Sequence, residues 1–114
     1  MTAIYKILPA ALWSEAKRAG VLRGSEVDAR DGFIHFSTAA QVIETAAKHF
    51  AGQENLVLLR IDSETLGMAL KWEPSRGGAL FPHLYAVLDV TAVTRVDSLR
   101  LGAGGKHEFP TLAD

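Results

Sequence analysis

Only two stretches of this chain carry apolar residues at helical spacing, and both lie in its first half. Leu12, Trp13, Ala16 and Ala19 line one face of a helix that Gly20 would stop. Lys17 and Arg18 fall in its last turn, where cations complement the carbonyl end of the helix dipole. Val42, Ile43, Ala46, Ala47 and Phe50 form the second stripe, opened by Thr38 and Gln41 at capping-box spacing and closed by Gly52. Past that point the chain reads as strands and turns. Parallel neighbours need a crossover helix between them, so the second half cannot build a parallel α/β sheet. The expectation is a single α+β domain: a mostly antiparallel, split sheet with two helices.

Strand patterns fall at residues 4–8, 33–37, 56–62, 68–73, 80–88 and 93–99. Residues 56–62, Leu-Val-Leu-Leu-Arg-Ile-Asp, are apolar on both faces and read as the buried strand. Pro82 interrupts residues 80–88 and predicts a bulge or an edge position. Residues 21–31 are polar, carry Gly24, Ser25, Asp28 and Asp31, and read as a loop over a site. Residues 1–101 make the domain; residues 102–114, with three glycines and one proline, read as a loosely packed tail.

Composition narrows the chemistry. A chain of 114 residues holds one core. Twelve Lys and Arg against 13 Asp and Glu give a net charge of -1, without the basic excess of a duplex-binding protein. No cysteine is present, which excludes disulfides, zinc ribbons, iron–sulfur clusters and thiol nucleophiles. Any catalysis runs on imidazole, carboxylate and hydroxyl groups. Neither a secretion signal nor an apolar run of bilayer length is visible, so no membrane role and a cytoplasmic location are expected. No sequence feature fixes an oligomeric state.

Two segments hold polar groups that packing alone does not ask for. In Asp31-Gly32-Phe33-Ile34-His35-Phe36-Ser37-Thr38, strand alternation points Phe33, His35 and Ser37 one way, just before a helix N-terminus that favours an anion. Served by packing alone, Ser37 or Thr38 would cap the helix and His35 would be a half-buried imidazole. The second segment, residues 70–85, carries Lys71, Glu73, Arg76, His83 and Tyr85 around Gly77 and Gly78. Lys71 and Glu73 share a strand face, as do His83 and Tyr85, and this set can supply acid, base and anion clamp. A solvated hairpin with a weak Lys71–Glu73 pair is the plainer alternative. His35, Glu73 and His83 are the candidate catalytic residues. Lys6, Ser37, Thr38, Lys71, Arg76 and Tyr85 are the candidate ligand contacts. A metal at His35 and His83 lacks a third ligand in the sequence. His49 reads as a dipole-compensating surface residue, His107 lies in the loose tail, and Trp13 and Trp72 read as core anchors. No phosphate-binding loop, dinucleotide fingerprint or nucleophile elbow is present.

Ile4-Tyr5-Lys6-Ile7, Trp13, Ala16, Gly20, the Asp31 to Thr38 segment, His49-Phe50, Leu70-Lys71-Trp72-Glu73 and Phe81-Pro82-His83-Leu84-Tyr85 together resemble the domain of unknown function 952 family, which is bacterial in the main. The resemblance runs from about residue 4 to about residue 93. It implies a fold similar to that of ADP-ribosyltransferases and RNA 2′-phosphotransferases. In those enzymes a first-strand His or Arg grips the adenosine ribose of NAD, a strand–helix junction carries Ser or Tyr, and a late Glu orients the reacting ribose. By order along the chain, Lys6 takes the first place, His35 to Thr38 the junction, and Glu73 the late acid. The implied ligand is a small anionic or nucleotide-like molecule, with NAD as the implied cofactor. The alternatives are a non-catalytic metabolite- or partner-binding module and a two-histidine phosphoesterase-like hydrolase, whose His-x-Ser/Thr pattern His35-Phe36-Ser37 fits.

Overall fold

Strand β1 (Ala3–Pro9) lies antiparallel to β5 (Leu56–Asp62), with Ile4 opposite Ile61 and Lys6 opposite Leu59. Strand β4 (Ser37–Thr38) flanks β1, and β9 (Val93–Leu101) then β10 (His107–Glu108) extend the sheet beyond β5. The structure, a computed structural model, describes residues 2–113, with Arg76 as backbone only. Two smaller sheets accompany the large one. Strand β2 (Val21–Leu22) pairs with β8 (Leu88–Asp89), and β3 (Ile34–His35), β7 (Ala79–Leu84) and β6 (Leu70–Ser75) form a three-stranded sheet in that order. Every pairing among the described residues is antiparallel. The domain is α+β.

Alternation along the central strands feeds two cores. Ile4, Leu8, Val57, Leu59 and Ile61 pack with Trp13 and Ala16 of helix α1 (Ala10–Ala19) and with Ile34, Phe36, Leu84 and Leu88. Tyr5, Ile7, Leu58 and Leu99 pack on the other side against Val42 and Ala46 of a later helix, Ala39–His49. Lys6 alternates with Ile4 and Leu8 on β1, so its side chain enters the first core. That placement generates the site.

Local chemistry explains both helix ends that the sequence predicts. Gly20 takes the left-handed conformation, φ 86°, and its N–H bonds Ala16 O. Gln41 Oε1 accepts the Thr38 N–H at 3.0 Å, opening the later helix, which Phe50 rather than Gly52 ends. The 21–31 stretch is not a loop. After β2, Ser25 caps helix α2 (Glu26–Asp31), so Ala39–His49 is α3, the third α-helix among the described residues.

Four further expectations change. Residues 33–37 form two strands in different sheets, because the chain turns at Phe36, whose N–H donates to Pro82 O. Pro82 sits buried inside the central strand β7 without breaking it. A strand residue directs its N and its C=O to the same side, and on that side Phe36 asks Pro82 only for an acceptor. Residues 102–114 read as a loose tail from their glycines, yet β10 pairs with β9, Phe109 and Leu112 join the second core, and Ala113 O accepts the Tyr5 hydroxyl at 2.7 Å. Trp13 is a core residue, whereas Trp72 is 41% exposed. No helix among the described residues is long and apolar enough to cross a membrane.

Candidate functional site

A lysine in an apolar core needs a carboxylate, and α2 supplies it. Lys6 Nζ lies 3.0 Å from Asp28 Oδ2, with both side chains buried. Asp28 stands at the third position of α2, where the same Oδ2 accepts the Ser25 N–H at 2.8 Å. Gly24 brings the backbone so close that a Cβ there would lie 2.6 Å from Asp28 Cβ and from Oδ2. Burial pushes the Asp28 carboxyl up. The His35 hydrogen bond and then the Lys6 charge outweigh it and hold the carboxyl well below the usual carboxylate range. Burial lowers the Lys6 pKa from its ordinary 10.5, and Asp28 offsets part of that.

This ion pair clamps His35 from three sides. Asp28 Oδ1 receives the His35 backbone N–H at 3.1 Å and contacts the ring Nδ1 at 2.6 Å, and Lys6 Nζ donates to His35 O at 2.9 Å. The outer nitrogen, Nε2, lies 3.0 Å from Asp31 Oδ2. A neutral imidazole has a single N–H, so only an imidazolium donates to both carboxylates at once.

Pairing of β3 with β7 sets His35 directly opposite His83, and β6 sets Lys71 opposite His83 on the other side. Lys71, His83 and His35 thus cross the small sheet as one row on one face. The two imidazole centroids are 5.4 Å apart, and Phe33 stacks on His83 at 4.1 Å while lying 4.5 Å from His35. Glu73 Oε1 contacts His83 Nδ1 at 2.8 Å and accepts the Tyr85 hydroxyl at 2.7 Å. A carboxylate only accepts, so His83 carries its proton on Nδ1 in this contact. The Tyr85 hydroxyl and then His83 hold the Glu73 carboxyl below its ordinary 4.5, and the same bond pushes the Tyr85 phenol above its ordinary 10.0. His83 is buried, so the reachable rim consists of His35, Glu73, Tyr85 and Lys71.

The structure therefore brings His35, Glu73, His83 and Tyr85 together, with Lys71 in the same row. Lys6 lies behind His35, paired and buried, rather than at the rim. Ser37 does not point with His35: it is buried, and its hydroxyl bonds Thr45 Oγ1 of α3 at 2.9 Å. Thr38 serves as the α3 cap. The Arg76 side chain lies outside the described residues. Asp28, Asp31 and the stacking role of Phe33 are absent from the sequence-derived set. One signal for Asp28 existed, a Ser25-x-x-Asp28 capping pattern in a chain whose apolar first strand holds one lysine. Among the described residues no group of three or more His, Asp or Glu is placed to hold a metal ion.

Comparison with known proteins adds relatives. The family model described as "Protein of unknown function (DUF952)" matches residues 7–96. The crystal structure of protein CC0527 from Caulobacter crescentus is 57% identical to this chain, with 94% of each chain covered and a TM-score of 0.91. A V27M / L66M double mutant of that protein, also a crystal structure, gives 55% identity, the same coverage and a TM-score of 0.91. Its solution NMR structure gives 58% identity over 93% of this chain and 91% of the other, with a TM-score of 0.84. None of the curated proteins matches the chain.

Proposed function

The chain belongs to the DUF952 family of proteins of unknown function, and on the strength of its site we propose that it binds and transforms a small anionic, nucleotide-like molecule. In this reading His35 moves a proton, Glu73 accepts a hydroxyl of the ligand, and Lys71 attracts the anionic group. The observation that carries it is convergence. His83 touches Glu73 at 2.8 Å and lies 5.4 Å, ring to ring, from His35, so two segments far apart in sequence meet at one place. Two of these three groups are also held by others: Asp28 and Lys6 fix His35, and His83 and Tyr85 fix Glu73. Groups held this way are set before a ligand arrives, which is what positioning of a reacting group requires.

An ADP-ribosyltransferase-like fold, implied by the chain-order resemblance, makes NAD one ligand to test. Glu73 suits the ribose-holding role. Lys6 does not suit the gripping role, because its ammonium is committed to Asp28. A two-histidine phosphoesterase scheme needs a second imidazole at the surface, and His83 is 4% exposed. His35 with Glu73 is the better acid–base pair. A second reading, a cytoplasmic metabolite-binding module without turnover, draws support from the carboxylate on each nitrogen of His35, which leaves neither ring nitrogen open to a ligand while Asp31 is in place.

Calorimetry with NAD, ADP-ribose and a 2′,3′-cyclic nucleotide, paired with product analysis, separates these readings. The enzymatic reading predicts saturable binding of at least one, a loss of about tenfold or more in Glu73→Ala for a charge-assisted hydrogen bond, and turnover that disappears in His35→Ala. Binding without turnover selects the module. Binding of none of the three removes the nucleotide-like ligand.

A further inference from the structure

His35 Nε2, the one imidazole nitrogen that β3 turns toward the rim, is already occupied by a carboxylate of the chain itself. Asp31 Oδ2 sits 3.0 Å from it, while Asp31 Oδ1 receives the Arg30 Nε–H at 3.0 Å. One carboxylate is thus held between an imidazole and a guanidinium, an arrangement that would serve equally for a carboxylate or phosphate from outside. We propose that this is the oxyanion subsite of the ligand, and that Asp31 occupies it as an internal stand-in that an incoming oxyanion displaces. The inference rests on the reading of the cluster as an anion site given above.

Three observations support displacement over a purely structural contact. First, the Asp31 pair is at the surface: the side chains of His35 and Asp31 are 30% and 31% exposed, against 2% for Asp28 on the opposite nitrogen. The inner carboxylate is built in, and the outer one is reachable by solvent and ligand. Second, Asp31 is the last residue of α2 and is followed by Gly32 at φ 85°, so its carboxylate is carried at the helix end, where it contacts His35 and Arg30. Third, Asp31 is kept anionic: the Arg30 hydrogen bond, opposed by desolvation and aided by the Arg30 and His35 charges, lowers its pKa. An anion is what the subsite holds, and an anion is what would replace it. The Lys71–His83–His35 row lies on the same face and supplies a further cation for a ligand carrying more than one charge.

The test follows the ring nitrogens of His35 by NMR in the full chain, with inorganic phosphate and ADP-ribose as separate probes. Asp31→Ala is compared with wild type and with Glu26→Ala, which removes the same charge from an exposed position of the same helix. A displaced stand-in predicts that Asp31→Ala tightens phosphate by about two- to fivefold, the range an exposed ion pair commonly controls, while Glu26→Ala changes it less. Asp31→Asn, which keeps the shape without the charge, should fall on the same side as Asp31→Ala. Phosphate affinity in Asp31→Ala equal to that of Glu26→Ala, or weaker than wild type, overturns the inference, and so does the absence of phosphate binding in every form. Binding of ADP-ribose that needs Glu73 but ignores Asp31 overturns this subsite and leaves the Glu73 reading standing. No binding of either probe by any form overturns this subsite, and the wider reading falls with it only if NAD and the 2′,3′-cyclic nucleotide also fail to bind.

Discussion

Asp28 Oδ1 holds both the backbone N–H and the Nδ1 of His35, at 3.1 and 2.6 Å. One oxygen thereby fixes where the β3 strand lies and how its imidazole is turned. The other oxygen of Asp28 takes Lys6 and the Ser25 N–H, so β1, α2 and β3 meet at a single carboxylate. Stability and site geometry are coupled at this point.

Removing one member of the buried pair should be costly. Lys6→Met leaves Asp28 charged and buried with only His35 and the Ser25 N–H as partners, and urea unfolding should show a loss of up to about 3–5 kcal/mol. In Lys6→Met/Asp28→Leu the uncompensated charge is gone, and much of that loss should return. His35 then lacks its acceptor, so ligand binding should stay impaired in the double variant although the fold recovers. A double variant no more stable than Lys6→Met would contradict the coupling.

Two glycines with similar φ should respond differently to alanine. Gly32, φ 85°, has open space at its Cβ position, so Gly32→Ala carries only the left-handed backbone cost of about 1–2 kcal/mol. Gly24, φ 101°, would place its Cβ 2.6 Å from Asp28. Gly24→Ala should therefore lower the melting temperature further than Gly32→Ala and also shift the His35 ring resonances. Equal effects would show that Asp28 has room to move.

Much of this chain was legible because the relevant chemistry is local. Gly20 after a basic turn, Thr38 with Gln41, and the apolar run of β5 each announce an element within a few residues. Helix α2 is six residues long, with only Asp28 buried, so it leaves no stripe to read. The end of the chain looks loose from its glycines because Phe109 and Leu112 find partners in strands far away in sequence. The site divides the same way. Lys71, Glu73, His83 and Tyr85 sit on one hairpin and could be grouped from alternation. The meeting of His35 with His83 depends on β3 pairing with β7, and Ser37 parts from His35 because the strand changes sheet at Phe36. Lys6 stood out as a lone cation in an apolar strand, but its role and Asp28 were hidden because each has its meaning in the other.

Acid should weaken the clamp in a direction set by Asp28. Its folded-state pKa is depressed, so its contribution is complete above the ordinary value of 3.8 and is lost as pH falls below that value toward the folded one. Urea unfolding from about pH 7 to about pH 3 should show the advantage of wild type over Asp28→Asn shrinking at the acid end. A gap independent of pH would mean that Asp28 is not held ionised by Lys6 and His35.

The Glu73–Tyr85 bond makes a spectroscopic prediction. The Tyr85 phenol is held above 10.0 by the carboxylate beside it, so Glu73→Gln should bring its alkaline titration down toward that value. Conversely, Tyr85→Phe should let the Glu73 carboxyl rise toward 4.5, because its first stabilising donor is gone. Ultraviolet titration of the phenol and carboxyl NMR read the two shifts. Neither shift appearing would place Tyr85 away from Glu73 in solution.

His35 and Glu73, meeting at His83, form the proposed ligand site. Long-range nitrogen–proton NMR of the four histidine rings during titration with ADP-ribose and a 2′,3′-cyclic nucleotide tests it most directly. Saturable shifts at His35 and His83 are expected for at least one of these ligands, with His49 and His107 unmoved. Rings that all stay still, or that drift together without saturating, would contradict it.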